Sequence, residues 1–180
     1  MPRYAAFLRG INVSGRRVGG ADLRRPFEAI GLREVASFRA SGNVVFEAGR
    51  EQAADLAARI ERELESALGY DVAVFLRNGP QLTRIVASEP FPPAALRASK
   101  GKLQVTFLSR RPSATVRRKV LALAGSKDLL EFGERELFWL PSGGTQESEL
   151  DTDAIGTLLG SGTMRTKGTV EQLTAKFFAG

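Results

Sequence analysis

The spacing of apolar and polar positions divides the chain into short elements. Residues 3–9 read as a buried strand. Leu23, Phe27 and Ile30 then fall at i, i+4 and i+7. This predicts a helix that starts with Asp22 as N-cap, carries Pro26 about one turn in, and stops at Gly31. Residues 35–39 and 44–47 predict two strands joined by Ala40-Ser41-Gly42-Asn43, a tight hairpin whose Gly42 and Asn43 tolerate positive φ. Residues 51–68 form the clearest helix. Leu56, Ile60 and Leu64 make its stripe, Asp55–Arg59 and Arg59–Glu63 its i,i+4 pairs, and Gly69 its stop. Residues 71–77 close the series as a strand. The order β-α-β-β-α-β is the split βαβ, ferredoxin-like arrangement.

A short helix and a proline-rich connector follow, and the pattern then repeats. Residues 102–108 predict a strand, and Pro112 opens a helix with Val116, Val120 and Leu123. Two strands (128–132, 136–140) precede a loop and a helix over 150–159 that begins with Asp151 and Asp153. One of Phe138 and Trp139 is expected to face the core and the other to be less buried. Residues 164–168 read as a loop, and Thr169 and Gln172 have capping-box spacing for a last helix. The fold class expected is α+β, with two ferredoxin-like halves (1–78 and 102–180) joined by a connector (79–101) into one compact unit. Within a half, the first and third strands are expected to run parallel, which would place the loop after the first strand and the hairpin at opposite ends of the sheet.

Composition narrows the chemistry. The 180 residues contain no cysteine and no histidine, which excludes thiolate nucleophiles, imidazole bases and the usual zinc ligands. Any catalysis would use carboxylates, lysine, tyrosine, hydroxyls, backbone amides or a metal such as Mg²⁺ held by oxygen ligands, and the sequence leaves the cofactor open. No apolar run is long enough for a membrane span. With no export signal, a cytoplasmic location is expected. The net charge of +6 is concentrated in residues 1–50, which hold nine Lys/Arg and four Asp/Glu. Such an excess suits phosphate-bearing partners, although a solvated arginine-rich surface gives the same count.

Three stretches, "AFLRGINVSGRR", "FRASGNVVFEA" and "MRTKGTVEQL", resemble the DUF1697 family of domains of unknown function. Its pattern has a leading LRGINVGG, a central QSGNVVF and a terminal T-RNWNTV-KL. The resemblance runs over the whole chain and implies an α+β fold with ferredoxin-like halves, but little about activity. Ser14 and Ala40 depart from the pattern at single positions, and Thr166, Lys167 and Gly168 replace its Asn-Trp-Asn segment.

The candidate ligand-binding residues come from these stretches. A strand-to-helix loop exposes backbone N–H groups, and Arg9, Asn12, Ser14, Arg16 and Arg17 would add polar and cationic contacts for an anion. The loop is neither a Walker A motif nor G-x-G-x-x-G. Asn12 and Ser14 equally suit a turn that satisfies its own backbone. Ser41 and Asn43 in the hairpin, and Arg165 and Lys167 near the last helix, complete the set. The partners expected are a phosphate-bearing small molecule or a nucleic-acid backbone. An enzyme of small polar or phosphorylated substrates and a self-associating scaffold are the alternatives. A base-stacking RNA platform is not encoded, since Tyr4 and Phe7 fall on opposite strand faces.

Overall fold

A computed structural model of the chain describes every residue except Val13 and Ser14, so the candidate Ser14 lies outside the described residues. The chain is α+β. Among the described residues it forms eight strands and seven helices, with the strands in two four-stranded antiparallel sheets. It divides into two units, Met1–Leu82 with Leu173–Gly180, and Thr83–Gln172. No helix among the described residues is long and apolar enough to cross a membrane.

The first unit contains β1 (Arg3–Arg9), α1 (Gly20–Ala29), β2 (Arg33–Ser37), β3 (Asn43–Glu47), α2 (Ala53–Leu68) and β4 (Ala73–Asn78). Its sheet order is β2-β3-β1-β4. β1 pairs with β3 in antiparallel register, Phe7 opposite Asn43 and Arg3 opposite Glu47. This overturns the parallel expectation. A helical crossover returns the chain to the end where β1 started, so β2 runs with β1, and the hairpin then reverses β3. The end of β1 and the start of β3 therefore share one end of the sheet.

Period-2 alternation sorts β1 into two faces. Ala6 and Leu8 join Val44, Phe46, Leu23, Phe27, Leu56 and Ile60 in the core under α1 and α2. Each buried Leu, Ile or Phe there is worth about 1.5–3 kcal/mol. Four local expectations are corrected. Gly19, not Asp22, occupies the N-cap of α1, and Pro26 is the seventh helical residue. Five residues, Phe38–Gly42, separate β2 from β3, so the hairpin is not tight. Positive φ falls on Arg39 and Gly42 rather than Asn43. Arg59 turns from Asp55 and Glu63 to bond Glu51 and the Ile30 carbonyl, tying α2 to the end of α1. Gly69 ends α2 in the left-handed conformation, as its position predicts.

The second unit contains α4 (Pro93–Ala98), β5 (Gln104–Leu108), α5 (Ala114–Leu121), β6 (Leu129–Phe132), β7 (Glu136–Leu140), α6 (Thr152–Leu159) and β8 (Gly162–Thr166). α3 (Gly79–Ala87) precedes them and α7 (Lys167–Phe177) follows. The sheet order is β6-β7-β5-β8. The expected loop at 164–168 is instead strand β8 and the first turn of α7, because Gly162–Thr166 pairs with β5 over five residues. Pairing with a distant strand overrides a sequence whose own pattern is too short and polar to signal one. The cap of α7 moves with it: Thr166 Oγ1 accepts from Thr169 N at 3.2 Å. Phe138 and Trp139 are both buried, because both faces of β7 are covered.

Candidate functional site

The antiparallel register brings the loop after β1 against the β2–β3 hairpin. Leu8 N donates to Gly42 O at 2.9 Å. Asn12 Nδ2 donates to Ala40 O, and Asn12 Oδ1 accepts from Val18 N at 3.2 Å. One side chain thus closes the loop on itself and fastens it to the hairpin. Gly42 has φ +81°, and a Cβ there would lie 3.2 Å from Leu8 Cβ and 3.3 Å from Leu8 O. Only glycine combines that conformation with that approach.

Asn43 is buried and donates to Phe38 O at 2.9 Å and Ser41 Oγ at 3.0 Å. Asn12, Ser41 and Asn43 therefore brace the two connections. The family-like motifs meet, and their polar residues are spent on each other.

The arginines separate. Arg9 follows Ala5 and Phe7 by strand alternation, so it lies on the sheet face opposite the two helices. Arg16 lies over the ring of Tyr70, 4.2 Å from its centroid, and Tyr70 Oη donates to Ile11 O at 3.2 Å. Tyr70, which the sequence reading missed, therefore anchors the loop twice; its place just after the stop of α2 was the available signal. Arg17 is exposed and, among the described residues, has no ion-pair partner. It lines an open groove of about 440 Å³ with Val18, Asp22, Arg25, Leu68 and Glu63. Arg25 in that groove is already paired with Asp22 at 2.9 Å.

The remaining candidates lie in the second unit, away from any loop. Arg165 sits in β8, buried, with Nη1 donating to Thr163 Oγ1 at 2.8 Å and to Met164 O at 2.9 Å. Burial pushes its guanidinium down to about 10, so it stays charged at neutral pH. Lys167 opens α7, donates to Val86 O at 3.1 Å and pairs with Glu171 at 3.3 Å. Both are engaged within the chain, on a strand and a helix where a loop was expected.

The second unit also holds a polar cluster that the sequence reading passed over. Trp139 Nε1 at 2.9 Å, Ser148 Oγ at 2.7 Å and Ser142 N at 3.3 Å all donate to Asp128 Oδ1. The buried carboxylate thereby fastens the loop between β7 and α6. Among the described residues no group of three acidic side chains could hold a metal ion.

Comparison with known proteins agrees with this architecture. The family model described as "Protein of unknown function (DUF1697)" matches residues 1–138. No curated protein matches the chain. Among solved structures, the conserved bacterial protein SP0830 from Streptococcus pneumoniae is similar over 99% of both chains, with a TM-score of 0.75 and 24% identity. A likeness at that identity speaks for the fold.

Proposed function

The chain belongs to the DUF1697 family, and within it we propose that it binds a small phosphate-bearing ligand beside the opening loop of the first unit. We also read each unit as ferredoxin-like, a reading supported by the β2-β3-β1-β4 and β6-β7-β5-β8 orders. The observation that carries the binding proposal is Arg17, an exposed guanidinium on the wall of a groove, without an acidic partner among the described residues. A guanidinium fork matches two phosphate oxygens at once.

Val18, Pro26 and Leu68 supply an apolar lining for the organic part of a phosphate ester. Glu63 on the same groove repels a bare anion and favours an ester that brings a hydrogen-bond donor to it. Arg16 contributes long-range attraction from its fixed place on Tyr70.

Thermal unfolding with inorganic phosphate, nucleoside monophosphates and sugar phosphates, each with and without Mg²⁺, tests the reading. Stabilisation by an ester is expected, about 2.7 kcal/mol at a ligand concentration of 100 times Kd. Arg17→Ala should abolish that shift, and Arg9→Ala, on the other sheet face, should preserve it. A flat response to every compound removes the proposal, and so does an unchanged shift in Arg17→Ala.

A further inference from the structure

The densest positive charge in the chain lies outside the opening loop. Between Glu89 and Asp128 the sequence carries nine Lys/Arg and no Asp/Glu. Acidic residues 128–149 conceal this run when charge is totalled over the whole unit. The run includes α5 and the loop that leads into it. Arg110, Arg111, Arg118 and Lys119 are exposed, and Arg117 is half-buried.

The geometry of α5 turns these charges outward. Val116 and Val120 point toward α6 and β6, with Val120 fully buried. At 100° per residue Arg118 then occupies the middle of the outer face, and Arg117 and Lys119 occupy its two flanks. Arg110 and Arg111 lie immediately ahead of the first turn. Ser113 Oγ accepts from Val116 N at 3.2 Å, so the helix start is already capped and the attraction comes from side chains.

Elsewhere in the unit cations find acids, as Arg84 does with Glu134 at 3.0 Å and Lys167 with Glu171. Among the described residues, none of these five has an ion-pair partner. Among the described residues the Arg117 side chain finds no hydrogen-bond partner, and its Nε–H is shut off from solvent without an acceptor. Packing thus fixes the stem of a guanidinium that no described residue neutralises.

We infer that α5 and the preceding Arg110–Arg111 form a docking surface for the phosphate backbone of double-stranded nucleic acid. This surface is independent of the small-ligand groove of the first unit. Four of its five cations are arginines, whose planar donors suit phosphodiesters. The outer face of α5 carries no aromatic residue. It lacks both the stacking platform that single strands require and the aromatic anchors common in membrane-surface helices. Recognition therefore runs through the backbone, without sequence preference and with strong dependence on salt.

Fluorescence anisotropy of the full chain with a mixed-sequence DNA duplex, over a series of salt concentrations, tests this. With all five cations engaged, the slope of log K against log salt should lie near −4 to −5, at about −0.9 per phosphate contact. The triple variant Arg110→Glu, Arg118→Glu, Lys119→Glu changes only exposed side chains. It should weaken binding at least ~10-fold and flatten the slope by about 3. A control with the same charge change, Arg33→Glu, Arg50→Glu, Arg62→Glu, should retain most of the affinity, and Arg17→Ala all of it.

Absence of salt-dependent duplex binding overturns the inference. So does equal weakening by the two triple variants, which would reduce the effect to net charge, or binding confined to phosphatidylserine vesicles.

Discussion

The first strand-to-helix connection differs between the two units although the frame around it is the same. In both, the leucine that follows the last residue paired with the unit's third strand sends its N–H to the residue just before that strand: Leu8 to Gly42 O at 2.9 Å, and Leu108 to Arg135 O at 2.8 Å. Each connection also carries an arginine pair, Arg16–Arg17 and Arg110–Arg111.

The first connection is long, glycine-bearing and tied down. Asn12 fastens it to the hairpin, Tyr70 holds the Ile11 carbonyl, and Arg16 rests on Tyr70. The second is short. Pro112 stiffens it, Ser113 caps α5, and its arginines stay outward. The polar anchoring of the second unit lies instead in the loop held by Asp128. The same structural position can therefore serve to brace a loop or to present charge, depending on what packs beside it.

The contrast is broken most severely at Gly42. Gly42→Val puts a β-branched residue at φ +81° and pushes it into Leu8. More than ~4 kcal/mol of stability should be lost in urea denaturation, whereas Arg135→Ala at the corresponding place should cost under ~1 kcal/mol. Equal costs would mean that the two connections are braced alike.

Asp128→Ala comes next. It strands a buried indole N–H and a serine hydroxyl, at about 3 kcal/mol, with a red shift of Trp139 emission as water enters. Unchanged emission would show that the loop between β7 and α6 has another anchor.

A smaller effect separates the loops themselves. Asn12→Ala should cost about 1–1.5 kcal/mol and speed amide exchange at Val18, which loses its acceptor. Ser113→Ala should cost about 0.5–1 kcal/mol and be confined to the first turn of α5. If Asn12→Ala left Val18 exchange untouched, the bracing role assigned to Asn12 would fall.

The local code was legible wherever periodicity was long or a residue had one conformational use. The stripe of Leu56, Ile60 and Leu64 and the stop at Gly69 were both readable. β8 was not, because five residues with one buried threonine and one buried arginine carry no alternation that stands out from a loop. Three of the candidate anion residues are engaged within the chain, for a related reason. Residue type marked Asn12, Asn43 and Arg165 as able to bind a ligand, but not whether the protein would occupy them first. The basic run before Asp128 is present in the sequence but is masked in the net charge by the acidic residues that follow it.

What the amino-acid order alone determined was the succession of elements from β1 to β4, the apolar side of α2 and the absence of imidazole and thiol chemistry. These depend on contacts within a few residues or on composition. The tertiary structure decided that β1 and β3 are antiparallel, that two distant motifs share one end of a sheet, and which cations face solvent unpaired. Strand direction and side-chain pairing depend on where the chain returns after a crossover. That return is settled by burying helix and sheet faces against one another, and no short window of sequence records it.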